Sequence, residues 1–418
     1  MPRARPPGRD ARGGAPIEQI AKALRSFRWL PGYTWQRLVR RPPRAGLVHL
    51  VIAVADHFEP AITPDEPWIY ASADEQERRV ERWCRTYPTT VGRWRDAEGY
   101  PFRHTYFYPA EQYNEALIGR LAEHCHAGWG EIEVHLHHGV QAPDTATQLR
   151  RTLVEFRDNL AAHGCLSRWD GRGQPRYAFV HGNWALANSA GGACCGVDEE
   201  MQILAETGCY ADLTLPSAPH PAQVAKVNAL YEPALPLTQR APHRRGRDLR
   251  RGRPPRTFPL VVQGPLALSL ARRARGWPSP CIENGALTTR NPATMGRLRL
   301  WRRLAIAVRD RPEWLFIKLH CHGMDPGDDQ AMLGTPLRRF LQELTEEARA
   351  GGRYRVHFVT AREMVNIILA ACDGHAGNAG DYRDYRLRLI TPARPISPAD
   401  VERPAAKPLV ASDELGRE

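Results

Sequence analysis

Short apolar runs alternate with helix-patterned segments from residue 47 to residue 371. The first run, residues 47–54, is mainly Leu, Val, Ile and Ala, a composition typical of a strand buried on both faces. A later run at residues 314–319 has the same character, residues 130–137 alternate apolar and polar side chains, and amphipathic segments separate these strand-like stretches. Because strand–helix–strand connections produce parallel sheets, the pattern predicts an α/β fold, either open or closed into a barrel.

The spacing of apolar residues also predicts individual elements and a domain organisation. Strands are predicted at residues 47–54, 103–107, 130–137, 177–180, 210–213, 259–262, 314–319 and 354–359. Helices are predicted at residues 75–90, 109–125, 145–163, 198–207, 295–310, 333–350 and 360–371. We therefore expect a basic N-terminal tail (1–45) with an amphipathic helix at 17–30, a barrel domain (46–373) and an extended C-terminal tail (374–418).

The net charge of +12 is concentrated in two segments. Residues 1–45 carry eleven Lys and Arg against two acids, and residues 238–256, predicted to be an Arg-rich loop insertion, carry eight Arg against one Asp. The rest of the chain is net acidic, which argues against a nucleic-acid partner. The helix at 17–30 packs on the body or rests on a membrane surface.

Composition also predicts the compartment. The sequence has no apolar run long enough to span a membrane, and its Arg- and Pro-rich N-terminus lacks the apolar region of a secretory signal. Its nine cysteines have no regular spacing and no C-x-x-C motif, which argues against a disulfide framework and a thiolate zinc site. We predict a cytoplasmic protein, with peripheral contact at the inner membrane as an alternative.

Half of the sixteen histidines belong to polar clusters at the ends of the predicted strands, His357 more loosely than the others. They are His57, His135, His137, His138, His181, His320, His322 and His357. Active sites of parallel α/β proteins form at the carboxyl ends of strands. Imidazole nitrogens are ligands for Zn²⁺, Fe²⁺, Co²⁺ or Ni²⁺. The pattern therefore predicts a metal or acid–base site at the strand ends.

The stretch Glu133 to Gly139, which reads EVHLHHG, provides the densest ligand set. Alternate side chains of a strand point to one face, so His135 and His137 should lie together with Glu133. A catalytic metal site keeps three protein ligands and one open position. We predict ligands from His57, His135 and His137, with His138 as the alternate, and zinc as the ion, with iron, cobalt or nickel as alternatives.

Six segments in this order resemble the polysaccharide deacetylase (NodB-homology) superfamily. They are Asp56-His57, His104 to Phe107, Gly130 to His137, Phe179 to Trp184, Gly208 to Asp212 and Leu319-His320. The similarity covers roughly residues 47–370. It implies a distorted (β/α)7 barrel and metal-dependent hydrolysis of an N-acyl (C–N amide) bond of a sugar or glycan, so the implied partner is a carbohydrate or N-acylated small molecule.

Several positions depart from the family pattern. His57 replaces the second Asp of the opening pair, and Gln141 replaces the second histidine of the H-x-x-x-H motif. The arginine of the third motif is also absent. These differences indicate a divergent member whose substrate does not follow from the resemblance.

The resemblance implies catalytic roles with open alternatives. Asp56 is either the general base or a ligand with His57 behind it. His320 is the candidate acid for the leaving amine, with His322 as a second candidate, and Asp212 would orient it. Supporting roles are assigned to His181 behind the ligands and to Trp184 and Tyr108 as platforms for a sugar face.

Two other functions remain compatible with the sequence. A retaining glycosidase would need two carboxylates about 5 Å apart, for which Glu59 and Asp212 are the candidate pair. A degenerate deacetylase-like domain would instead bind a glycan or a protein partner without catalysis.

Overall fold

The centre of the molecule is a large, mostly parallel sheet built on strand β1 (Val48–His57). The computed structural model describes residues 27–41, 43, 46–63, 69–271 and 279–394. Strands and helices alternate along most of this chain. The predicted α/β class is therefore confirmed.

The sheet has the strand order β12-β1-β2-β3-β5-β6-β9-β7-β8, and β13 pairs with the first half of β1. The remaining strands are β2 (His104–Pro109), β3 (Gly130–Leu136), β4 (Ser167–Trp169), β5 (Arg172–His181), β6 (Cys209–Asp212), β7 (Leu230–Pro233), β8 (Gly246–Asp248), β9 (Leu260–Val262), β10 (Ala267–Ala271), β11 (Ser279–Glu283), β12 (Trp314–Cys321), β13 (Tyr354–Phe358) and β14 (Leu387–Leu389). Within the described ranges the pairing path from β12 to β8 does not close into a ring. The hairpins β4–β5 and β10–β11, the strands β7 and β8, and strand β14 were not predicted.

Nine α-helices connect or cover the described strands. They are α1 (Leu30–Val39), α2 (Ala73–Thr86), α3 (Glu115–His124), α4 (Ala146–Ala162), α5 (Glu200–Thr207), α6 (Met295–Arg303), α7 (Asp329–Leu333), α8 (Thr335–Gly351) and α9 (Ala361–Cys372). Side-chain caps that accept a backbone N–H of the first turn fix the starts of α2, α3, α4, α6 and α9: Ser72, Asn114, Thr145, Thr294 and Thr360. Thr360 and Glu363 form a full capping box.

Strand β1 is buried on both faces, and its side chains alternate between two hydrophobic cores. Leu50, Ile52 and Val54 pack on the first face, whereas Ala53 and Ala55 pack on the second. The same alternation divides β3 and β12, where the even positions of β3 and the odd positions of β12 lie on the first face. The polar residues that follow each strand are therefore divided between two opposite faces.

The strand register brings the carboxyl ends to one edge of the sheet. Asp56 of β1 is opposite Cys321 of β12, Pro109 of β2 is opposite His135 of β3, and Leu136 is opposite His181 of β5. This edge is where the sequence predicts a functional site.

A buried ion-pair network fastens the segment after α9 to the sheet. Arg362, with a side chain 2% exposed, pairs with Glu131 of β3 and with Asp384. Arg383 is also buried and pairs with Asp96. Strand β14 then pairs with β4. The described part of the expected C-terminal tail therefore packs on the body up to residue 394.

The structure of the two basic segments differs in part from what the sequence predicts. Most of the helix expected at residues 17–30 lies outside the described residues, and α1, which was not predicted, follows it. The Arg-rich segment 238–256 contributes β8 to the end of the sheet, where Arg247 pairs with Glu232 and Asp248 pairs with Lys226 and with Arg309. Within the described ranges, no helix is both long and apolar enough to cross a membrane.

We expect the buried His243 to make stability fall in acid. His243 is fully buried, and neither ring nitrogen has a hydrogen-bond partner among the described residues. Burial and the nearby Arg244 lower the pKa of His243 to about 3, whereas an unfolded histidine titrates near 6.5. The unfolded chain therefore binds more protons below pH ~6.5, and the free energy of unfolding falls as the pH drops towards 3.

His243→Phe removes this titration. Urea unfolding between pH ~3 and ~6.5 should then depend less steeply on pH, by about 1.4 kcal/mol per pH unit, which corresponds to one proton. His163→Phe, at a partly exposed position, is the control and should keep the wild-type slope. Equal slopes for His243→Phe and wild type would contradict the assignment.

Candidate metal centre at the strand ends

Five side chains converge on one face at the carboxyl edge of the sheet. They are His57 at the end of β1, Glu59 shortly after it, His135 and His137 at the end of β3, and His322 after β12, and together we call them the mouth cluster. His57, Glu59 and His322 lie an even number of residues from second-face positions of β1 and β12. His135 and His137 alternate with the first-face residues of β3 and so lie on the same second face. His137 and His322 keep side-chain exposures of 23% and 33%, so the cluster is open to solvent on one side.

The Glu59 carboxylate is the centre of the mouth cluster. Its Oε1 lies 3.2 Å from Nε2 of His135, 3.9 Å from Nε2 of His137 and 4.0 Å from Nε2 of His322. Two ligands of a tetrahedral ion with bonds of about 2.1 Å are about 3.4 Å apart. These separations therefore fit ligand atoms grouped around one transition-metal ion.

The electrostatics of Glu59 favour its ionised form. Burial alone would raise the pKa of this carboxyl group, but the hydrogen bond and charge of His135, together with the neighbouring imidazoles, outweigh burial and lower it to about 2. A carboxylate held ionised among imidazoles is suited to bind a cation.

His57 completes the cluster from the end of β1. Its ring centroid lies 4.8 Å from that of His135, 4.7 Å from that of His322 and 6.2 Å from that of His320. Burial, followed by the charges of His322 and His135, lowers the pKa of His57 well below the ordinary value. His57 is therefore a neutral imidazole with a lone pair available to a metal ion.

Outer hydrogen bonds orient two of the imidazoles. Nδ1 of His135 lies 2.8 Å from the Val180 carbonyl oxygen, to which it must donate. Nδ1 of His137 lies 2.6 Å from the Glu111 carboxylate. Each contact directs the other nitrogen, Nε2, towards Glu59, which is the arrangement found around metal-bound histidines.

Asp56 does not lie in the mouth cluster. Its carboxylate is fully buried on the first face of the sheet, where it accepts a hydrogen bond from the Gly323 backbone N–H (2.7 Å) and lies 3.0 Å from Nδ1 of His104. Adjacent residues of a strand face opposite ways, so placing His57 in the mouth directs Asp56 away from it. The structure thus separates Asp56 from His57: Asp56 is not positioned as a general base for an ion held by His57, and its own ligand-type neighbours are His104 and Cys321.

His138 is also separated from the mouth cluster. Its Nε2 lies 3.3 Å from Glu200, and its Nδ1 lies 3.0 Å from Asp144. The physical reason is again alternation, because His138 follows Leu136 on the first face whereas His137 follows His135 on the second. His181 joins His138 on that side, with ring centroids 4.9 Å apart.

His320 lies beside the mouth cluster and close to the buried Lys318. Burial, Lys318 and His322 hold the pKa of His320 well below its usual range, and Nδ1 has no hydrogen-bond partner among the described residues. The two described hydrogen bonds of Asp212 come from Thr214, so the structure describes no contact that orients His320 through Asp212. Burial raises the pKa of Asp212 and lowers that of Lys318, in each case to about 7.

The two aromatic residues expected to carry a sugar differ in exposure. Tyr108 is fully buried, and its hydroxyl donates to the Gln112 carbonyl, so it cannot face a substrate. Trp184 is partly exposed, and its ring lies 5.2 Å from that of His220. Trp184 alone remains available as a platform.

Sequence reasoning missed Glu59 and His322 as candidate ligands and Glu111 as an orienting group. Glu59 follows His57 by two residues. Strand alternation, if continued past the end of β1, would therefore have placed Glu59 on the same face as His57. The same step from His320 leads to His322. No sequence signal identifies Glu111, because it lies 26 residues before His137.

Comparison with known proteins gives this chain no family. No protein-family model matches it, and no curated protein sequence matches it. The assignment of function therefore depends on the residues themselves.

Proposed function

We propose that this chain is a metal-dependent hydrolase that cleaves the N-acyl (C–N amide) bond of a sugar or glycan. The observation that carries the proposal is the open mouth cluster, in which one ionised carboxylate is surrounded by imidazole nitrogens at metal-ligand spacing. The sequence resemblance to polysaccharide deacetylases supports the same chemistry. Zinc is the expected ion, and a distorted (β/α)7 barrel is the expected finer architecture.

The side chains of the mouth cluster have metal-binding roles in this proposal. Glu59, His135 and His322 would hold the ion, and His57 and His137 are the other imidazoles of the cluster. Three protein ligands would leave one position open, where the ion would lower the pKa of a water and polarise the acyl carbonyl. The exposed side of the cluster leaves room for the substrate.

His320 is the proton-transfer group in this proposal. Since Asp56 points away from the mouth, His320 is the remaining titratable neighbour of the cluster named by the resemblance. The neutral imidazole would accept a proton from the attacking water, and its lowered pKa would favour the second step, in which it donates that proton to the leaving amine. Both steps use the same nitrogen lone pair.

The glycosidase alternative has weaker support. It requires one carboxylic acid that stays protonated beside a second carboxylate. The low pKa of Glu59 and the raised pKa of Asp212 would suit these two roles, but Asp212 is fully buried and hydrogen-bonded to Thr214, so its carboxyl group is not exposed to a glycosidic bond. We therefore do not advance this function.

A chelation experiment tests the proposal. The purified full-length chain is assayed for acetate release from N-acetylglucosamine and from its short β-linked oligomers. We expect activity to disappear after chelation and to return with Zn²⁺ or Co²⁺. Acetate release that survives complete removal of metal, or metal-replete protein inactive on every N-acylated sugar tested, would contradict the proposal.

A further inference from the structure

A second group of ligand-type side chains lies on the opposite face from the mouth cluster. It consists of His138 after β3, His181 at the end of β5, Cys195 in the following loop and Glu200 at the start of α5, and we call it the loop cluster. All four residues are buried. Their ligand atoms lie within 4.8 Å of one another.

The separations within the loop cluster match a four-ligand site. Glu200 Oε1 lies 3.3 Å from Nε2 of His138 and 3.9 Å from Nε2 of His181. Cys195 Sγ lies 3.4 Å from the second oxygen of Glu200. Two imidazoles, one thiolate and one carboxylate are a donor set that tetrahedral zinc accepts.

One ligand atom of the loop cluster has no hydrogen-bond partner among the described residues. Nε2 of His181 is buried and faces Glu200 from beyond hydrogen-bond distance. A buried polar atom without a partner destabilises the folded state, and a bound metal ion is one group that would satisfy it. An ion at the centre of the cluster would provide that partner.

An outer carboxylate supports the same interpretation. Asp144 contacts Nδ1 of His138 at 3.0 Å, which leaves Nε2 to face the cluster. The backbone N–H of Asp144 also donates to the Cys195 carbonyl (2.8 Å), joining the loop after β3 to the loop after β5. Metal-bound histidines have such second carboxylates.

An ion bound to Cys195 would stabilise the loop that contains it. The loop from 182 to 199 contains four non-glycine residues with positive φ: Trp184, Ala187, Asn188 and Cys194. Residues rarely adopt this conformation unless surrounding contacts impose it. Anchoring the loop through Cys195 and Glu200 to the two strand ends would provide that constraint.

We propose that the loop cluster is a second metal site, a structural Zn²⁺ centre with one Cys, two His and one Glu ligand. Four buried protein ligands leave no open position, which distinguishes a structural zinc site from the open mouth cluster. The site fixes His138, and through it the adjacent His137 of the mouth. It does not depend on the hydrolase function proposed for the mouth.

Cobalt substitution of the full-length protein tests the loop cluster. Co²⁺ bound to a thiolate gives a ligand-to-metal charge-transfer band in the near ultraviolet, and Co²⁺ bound only by His and Glu does not. We expect this band in the Co²⁺-loaded wild type. Cys195→Ser should abolish the band and remove one metal equivalent per chain. Cys194→Ser, at the adjacent position, should retain both.

A measurement on the unaltered protein covers the case in which Cys195→Ser does not fold. X-ray absorption at the zinc edge of the wild type should detect sulfur among the zinc ligands. Absence of both the cobalt band and the zinc–sulfur signal in the wild type would overturn the proposal, as would a band that survives Cys195→Ser. Acetate release does not enter this test, so failure of the hydrolase proposal would leave it intact.

Discussion

Glu59→Gln is expected to remove the metal from the mouth cluster and to lower the rate of N-acyl hydrolysis by more than about 10²-fold, because loss of an outer-shell partner alone costs about 10–100-fold. The substitution keeps the size of the side chain and removes the negative charge that faces His135, His137 and His322. Without that charge the mouth cluster has no anionic ligand, and its imidazoles alone should not retain the ion. Metal analysis and acetate release measure the two effects.

Two further variants serve as comparisons for Glu59→Gln. Glu111→Gln removes only the group that orients His137, so we expect a smaller loss of metal affinity, about 10–100-fold. Asp56→Asn lies on the same strand but on the opposite face, and it should keep the mouth metal. Metal retained in Glu59→Gln but lost in Asp56→Asn would place the ion in the group of Asp56, His104 and Cys321 instead.

His320→Asn is expected to lower kcat by about 10²–10⁴-fold, the usual contribution of general acid–base catalysis. The metal content and KM should remain close to wild type, because His320 is assigned to proton transfer and not to binding of the ion. Steady-state kinetics with matched metal analysis separate these quantities.

The matched comparison for His320→Asn is the same substitution at His322. His322→Asn should lose metal as well as activity, because its Nε2 faces Glu59. Loss of metal in His320→Asn would instead make His320 a ligand. Wild-type kcat in His320→Asn would exclude it from proton transfer.

The sequence predicts the α/β class and the edge of the sheet where the ligand-type side chains gather, because apolar runs and the polar residues after them are local features. It also places His57, His135 and His137 together correctly, since strand alternation is a local rule as well. Where the rule was not carried through, the expectation differed from the structure: His138, the alternate ligand, lies on the opposite face from His137. For Asp56 and His57 the rule was one of two alternatives, and they do lie on opposite faces.

The contacts that sequence reasoning missed join residues far apart along the chain. Cys195 meets His138 only because the loop after β5 folds back over the end of β3. The absence of a C-x-x-C motif gives no information about such a site, because its ligands come from four separate segments. Glu111 reaches His137 in the same way.

Anomalous diffraction at the zinc edge, on crystals of the metal-replete full-length protein, tests the central claim most directly. We expect an anomalous peak within bonding distance of Glu59 Oε1 and of Nε2 of His135, at the solvent-exposed side of the mouth cluster. Crystals of protein that releases acetate but has no anomalous peak at Glu59 would contradict the account.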